Sequence, residues 1–172
     1  IVVVNPSTGA AAVVASGDNL QMAQLTDPPR LLVKEEVDGD VKLIVAEWSG
    51  ANAVILFDDN DYTLSDASNL PGDKRVLLRL SHDGLLSLYV APLDGTPGHF
   101  VLEDWSRFHV INQRDDTVLV TRYEDEGDGE ALYAVSLVPD AKLVELDDSA
   151  DRYDYAVIAP DGRSAIYNAI IG

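Results

Sequence analysis

Carboxylates gathered in short runs are the residues of this sequence best suited to chemistry. Asp58, Asp59 and Asp61 form one run, Glu124, Asp125, Glu126, Asp128 and Glu130 a second, and Asp147, Asp148 and Asp151 a third. Oxygen donors at this density suit a hard cation, calcium being the obvious one, or the ammonium and guanidinium groups of a basic protein. The EF-hand spacing fails, because the closing position of such a loop falls on Val135 when counted from Glu124 and on Leu70 when counted from Asp59. A calcium site built from Asp58, Asp59 and Asp61, or from Asp125, Asp128 and Glu130, therefore needs the backbone to fold back until the carboxylates converge. The competing reading is that these are solvated turn residues.

Other chemistries find less support. There is no cysteine, so disulfides, thiolate metal sites and cysteine nucleophiles are excluded, while the compartment stays open. His82, His99 and His109 are too scattered to read as a zinc site. Ser81, His82 and Asp83 are neighbours in sequence, so their side chains diverge and cannot form a nucleophile, base and orienter chain. No Gly-x-Ser-x-Gly elbow, phosphate loop or dinucleotide fingerprint is present, and the reading leans away from an enzyme.

Net charge is −18, from 30 acidic and 12 basic residues. That balance argues against nucleic acid and anionic lipid, which need a basic surface to displace counterions, and favours a protein partner with a basic surface. Lysine occurs only at Lys34, Lys42, Lys74 and Lys142, a balance also found in salt-adapted proteins. No apolar run approaches the roughly 20 residues of a membrane-spanning helix, and Ile1 to Val4 is stopped by Asn5-Pro6. A start at Ile1 without methionine reads as a processed or truncated end.

The elements that must carry these residues repeat. Gly39, Gly84 and Gly129 sit in Asp-Gly turns forty-five residues apart, and Gly50, Gly95 and Asp140 mark a second series with the same interval. A third series runs through Asp27-Pro28-Pro29, Pro71-Gly72-Asp73, Asp115-Asp116-Thr117 and Pro160-Asp161-Gly162. Between the turns lie runs rich in Val, Leu, Ile and Tyr, which read as strands joined by antiparallel hairpins. One repeat holds strands A (Tyr62 to Leu70), B (Lys74 to Leu80), C (Leu86 to Leu93) and D (Phe100 to Glu103). Four strands repeated at this period are the signature of a β-propeller, an all-β fold of four-stranded antiparallel blades.

The segments Ala159-Pro160-Asp161-Gly162-Arg163-Ser164-Ala165-Ile166-Tyr167, Ser81-His82-Asp83-Gly84 and Leu88-Tyr89-Val90-Ala91-Pro92-Leu93-Asp94-Gly95 resemble the blade motifs of TolB-like, WD-like propeller repeats. Only the last blade keeps Pro-Asp-Gly intact; the others carry Asp-Pro-Pro, Pro-Gly-Asp or Asp-Asp-Thr. The resemblance implies a fold rather than an activity. It also implies an extracytoplasmic setting, in the periplasm, at the cell surface or secreted.

The blades divide the chain into a half blade at 1–18, blades at 19–61, 62–106 and 107–151, and a half blade at 152–172. The two halves are complementary, so the expected molecule is either a closed four-bladed ring or a fragment of a larger propeller. A fragment would be prone to self-association through open strand edges. In a propeller the D to A and B to C connections share one face, and most of the thirty acidic residues fall there. The expected binding residues are Asp58, Asp59, Asp61, Asp125, Asp128, Glu130, Asp147 and Asp148. Tyr153 and Tyr155 alternate on one face of a predicted A strand and are expected to line the central channel. Trp48, Trp105 and the remaining tyrosines are expected to fill the space between blades. The leading reading is a non-enzymatic scaffold that binds a protein through the acidic face. The alternative is the gating propeller of a larger prolyl-oligopeptidase-like hydrolase, with its catalytic residues outside this chain.

Overall fold

The computed structural model describes residues 1–4, 7–13, 21–26, 29–37, 40–47, 52–59, 61–70, 74–123, 129–140 and 142–171, and every regular element among them is a β-strand. The strands are β1 (Val2–Val4), β2 (Ala11–Val13), β3 (Gln21–Thr26), β4 (Pro29–Val37), β5 (Asp40–Ala46), β6 (Val54–Asp58), β7 (Thr63–Asn69), β8 (Arg75–His82), β9 (Leu85–Pro92), β10 (His99–Trp105), β11 (Phe108–Arg114), β12 (Thr117–Tyr123), β13 (Glu130–Ser136), β14 (Val144–Ala150), β15 (Arg152–Ile158) and β16 (Ala165–Ile170). They form three four-stranded sheets, β3 to β6, β7 to β10 and β11 to β14, each with its strands in chain order. Two further sheets are two-stranded, β1 with β2 and β15 with β16. In each four-stranded sheet the A and D strands are therefore the free edges.

The second and third strands of each sheet are apolar on both faces. Val118, Leu119 and Val120 of β12 are at most 1% exposed, although successive side chains of a strand point to opposite faces. Such a strand must be covered on both sides, which is why the sequence runs Val-Leu-Val rather than alternating with polar residues. The outer strand β14 behaves differently: from Val144 to Ser149 its side chains are exposed, with only Asp147 partly covered.

Turn chemistry sets the register. Asp83 and Gly84 join β8 to β9 with φ of 48° and 80°, the mirror-type two-residue turn whose twist matches that of the strands it connects. A bulge recurs in the pairing of the first and second strands. Ser65 in β7, Ile111 in β11 and Asp154 in β15 each lack an opposite residue. A bulge adds one residue and reverses the facing of everything after it.

The chain falls into two compact units, Ile1–His82 with Tyr89–His99, and Asp83–Leu88 with Phe100–Gly172, so the second four-stranded sheet is divided between them. In the first unit the apolar interior is made by Leu31, Leu32 and Val33 of β4, Leu43 and Val45 of β5, and Val76, Leu77 and Leu78 of β8. There β3 approaches β7, an A strand against the next A strand. In the second unit β15 packs across β11, β12 and β13. That contact buries Leu119, Leu132, Ala150, Tyr153, Ala156 and Ile158 in one cluster. Removing an aliphatic side chain such as Leu119 from it would cost about 2–5 kcal/mol.

Candidate functional site

Among the described residues, most of the acids assigned to the connections lie on strands. Asp58 closes β6 with Asp59 just beyond it, Glu103 and Asp104 lie in β10, and Asp147 and Asp148 lie in β14. The outer strands β6, β10 and β14 thus each carry acidic residues. The third of these strands runs on past Leu146 to Ala150. It continues because pairing with β13 survives two irregularities, with Asp147 opposite Leu132 and Ala150 opposite Glu130. Aliphatic content stops at Leu146, but backbone pairing needs no aliphatic side chain.

The first acid run does not converge. Asp58 turns to its cross-strand neighbour Lys42, 3.7 Å away, in a half-exposed ion pair worth about 0–1 kcal/mol. Asp59 accepts the Asp61 backbone N–H at 3.0 Å through Oδ1, and Asp61 stays exposed. Among the described residues no group of three His, Asp or Glu side chains is placed to hold a metal ion, which corrects the calcium site drawn from Asp58, Asp59 and Asp61. Asp125 and Asp128 lie outside the described residues, as does Trp48.

Glu130 is not a turn acid. It opens β13 and is 4% exposed, and its carboxylate accepts the backbone N–H of Tyr153 at 2.7 Å. The Tyr123 hydroxyl also donates to it, which raises the Tyr123 pKa because ionising that phenol would lose the bond and set two anions together. Glu130 therefore joins the third sheet to β15.

The bulge at Asp154 separates the two tyrosines expected on one face. Tyr153 is 5% exposed and lies opposite Ala169, whereas Tyr155 is 58% exposed and lies opposite Asn168. The buried face continues with Ala156 instead. Asp154 itself pairs with Arg152.

Tyr153 meets a different partner. Its ring stands edge-on to Tyr167, with centroids 5.7 Å apart and planes at 74°. Its hydroxyl is buried and has no hydrogen bond of acceptable geometry. Burial and the nearby Asp147 carboxylate push its pKa well above the usual tyrosine range. Tyr167 is shifted the same way by partial desolvation and by the same carboxylate. Asp147 accepts both the backbone N–H of Ser149, at 3.0 Å, and its hydroxyl, at 2.7 Å, which holds the carboxyl below the ordinary range and keeps it ionised. This grouping of Asp147, Ser149, Tyr153 and Tyr167 went unread in the sequence. Its one legible signal is the spacing Asp-x-Ser/Thr, which recurs at Asp94-Gly95-Thr96, where Asp94 accepts the Thr96 N–H and hydroxyl in the same way.

The other aromatics fill space between strands. Trp105 stands edge-on to Phe108 and Tyr133 and receives the Arg122 guanidinium 4.8 Å above its ring. His82 lies against Tyr62 and His109 against Tyr123.

No family model matches the chain and no curated protein matches its sequence. The fold is similar to that of TolB from Acinetobacter baumannii. The two align with a TM-score of 0.54 at 14% identity, over 96% of this chain and 45% of TolB. The chain thus spans less than half the length of that protein. At this identity the likeness concerns the fold, a TolB-like arrangement of antiparallel four-stranded units, and carries no residue of a site across.

Proposed function

We propose that this chain is a non-enzymatic β-propeller module, three complete blades between two half blades, that binds a protein with a basic surface. One observation carries the reading. The outer strands β6, β10 and β14 carry Asp58 with Asp59 just beyond it, Glu103-Asp104, and Asp147-Asp148, and all but Asp147 are exposed. A repeated acid pair on a free edge has two effects. It discourages pairing with other strands, and it presents negative charge to a cationic partner. In a chain of net charge −18 such a surface speeds encounter with a basic protein and fixes its orientation. The likeness to TolB-like propellers supports an extracytoplasmic setting for that encounter.

The test uses poly-L-lysine as the probe, titrated between about 0.1 M and 1 M salt, where the screening length falls from about 10 Å to about 3 Å. Binding should weaken steeply with salt. Neutralising all three pairs (Asp58→Asn with Asp59→Asn, Glu103→Gln with Asp104→Asn, and Asp147→Asn with Asp148→Asn) should weaken it tenfold or more. Affinity that ignores both salt and the six substitutions would sink the reading.

A further inference from the structure

The outer strands β6, β10 and β14 hold carboxylates, and charges of this kind keep an edge from pairing with another chain. β16 lacks that protection. It reads Ala-Ile-Tyr-Asn-Ala-Ile, without a charge. Among the described residues its one hydrogen-bonded neighbour is β15, whereas β4, β8 and β12, the second strands of the four-stranded sheets, have a neighbour on each side. Leu31 to Val33, Val76 to Leu78 and Val118 to Val120 in those strands are at most 3% exposed, but in β16 Ile166 is 72% and Ile170 39% exposed. Both share a face with Tyr155, because Val157 lies opposite Ile166, Tyr155 opposite Asn168 and Arg152 opposite Ile170. The pair β15–β16 therefore has a bare apolar face as well as an open edge.

A matching piece exists in the same sequence. β1 and β2 form an antiparallel pair in which Val2 and Val13 lie opposite each other, both exposed. Among the described residues β1 has β2 as its one neighbour. Set beside β16, it completes the order β15-β16-β1-β2, which is the chain-order arrangement of all three four-stranded sheets. Within one copy the two pairs are separate sheets, so the strand that fills the edge comes from a second copy.

Charge and area both bear on that choice. The chain has 30 acidic residues, yet residues 1–17 hold none and residues 164–172 hold none. Two molecules of net charge −18 repel, and they meet at least cost where neither presents a carboxylate. A stable interface buries about 1,200–2,000 Å² in all, more than one three-residue strand supplies. Reciprocal exchange forms the join twice about a two-fold axis. The sheet β3 to β6, which follows β2 in the chain, is carried with it toward the face that bears Tyr155 and Ile166.

We propose that two copies of this chain exchange strands, β16 of each pairing antiparallel with β1 of the other, so that β15–β16 of one copy and β1–β2 of the second copy make a further four-stranded sheet. The join lies apart from the acidic outer strands and does not depend on the reading above.

The test is sedimentation equilibrium of the full chain over a wide range of concentration, which should give the mass of two chains. Ile166→Asp with Ile170→Asp, and separately Val2→Asp, should each weaken dimerisation by about tenfold or more, since a carboxylate is carried into an apolar join. These positions are exposed in the single copy, and an unchanged circular dichroism spectrum reports that each variant is folded. Mixing the two variants should restore part of the association, because one of the two joins in the mixed pair then carries no substitution. The absence of cysteine permits a direct check. With Val2→Cys and Ile170→Cys in one chain, at the meeting ends of β1 and β16, oxidation should link two chains. A chain that stays monomeric, or a disulfide that closes within one chain, overturns the exchange. So does a dimer that ignores the aspartates or does not return on mixing.

Discussion

Glu130 and Tyr153 are twenty-three residues apart in sequence and are joined by a 2.7 Å hydrogen bond from the backbone N–H of Tyr153 to the Glu130 carboxylate. The bond fastens the first residue of β13 to β15, where a bulge has taken the strand out of simple register. It performs inside the second unit what a continuous ladder performs elsewhere.

Replacing Glu130 tests that role. Glu130→Ala leaves a buried N–H and the Tyr123 hydroxyl without their acceptor, and unsatisfied groups of this kind cost about 1–3 kcal/mol each. The expected loss is about 3 kcal/mol in urea unfolding, with roughly half of it recovered in Glu130→Gln, which keeps an acceptor but loses the charge. Equal stability of Ala and Gln variants would show that the carboxylate is not holding β15.

Tyr153→Phe tests the orphan hydroxyl. The folded-state pKa of Tyr153 lies above the unfolded value of about 10. The group's contribution is therefore complete below about pH 10 and is lost as rising pH ionises the unfolded chain and then approaches the folded pKa. The phenylalanine variant should keep its stability further into alkali. At neutral pH it should equal the parent or exceed it by up to about 1 kcal/mol, because a buried unpartnered hydroxyl is removed. A loss larger than that in thermal unfolding would mean that the hydroxyl is bonded to Asp147 after all.

Acid should reveal the two Asp-x-Ser/Thr turns. Asp94 and Asp147 both have pKa values depressed mainly by hydrogen bonds from the residue two positions on. Their contribution is thus present above the unfolded value of about 3.9 and is lost as pH falls through the lower folded one. Asp94→Asn and Asp147→Asn should each flatten the acid limb of stability between about pH 4 and pH 2. An acid limb as steep as the parent's in both variants would contradict the assignment.

What could be read from residues alone followed from how local each cause was. The turn at Asp83-Gly84 was legible because positive φ at two consecutive residues is a demand that Asp-Gly meets by itself. The strands were legible because β12 and β13 need a run of Val, Leu and Tyr whichever sheet covers them. The end of β14 was hidden, since Glu145 to Ser149 is a strand only through its pairing with β13. Tyr153 and Tyr155 were wrongly placed together because alternation assumes an unbroken strand, and nothing about Asp154 announces a bulge. Glu130 looked like one more acid in a charged loop, and its burial depends on Tyr153, which the sequence does not bring near it. The Asp147 grouping was invisible for the same reason, as β14, β15 and β16 each contribute to it.

Gly84 and Gly129 share the forty-five-residue period for different reasons, and substitution should separate them. At Gly84, φ is +80° and an added Cβ meets nothing within 4 Å, so the constraint is conformational only. Asparagine tolerates that region of backbone space, and Gly84→Asn should cost less than about 1 kcal/mol. At Gly129 an added Cβ would lie 2.2 Å from the Ala150 carbonyl oxygen and 3.0 Å from its carbon. Backbone cannot swing aside as a flexible side chain can, and Ala150 is also opposite Glu130 at the end of the β13–β14 pairing. Gly129→Ala should therefore push β14 away and disturb the Glu130 bond to Tyr153, costing about 1–3 kcal/mol or more. Chemical denaturation of both variants decides it. A Gly129→Ala protein as stable as Gly84→Asn would mean that β13 and β14 do not approach so closely.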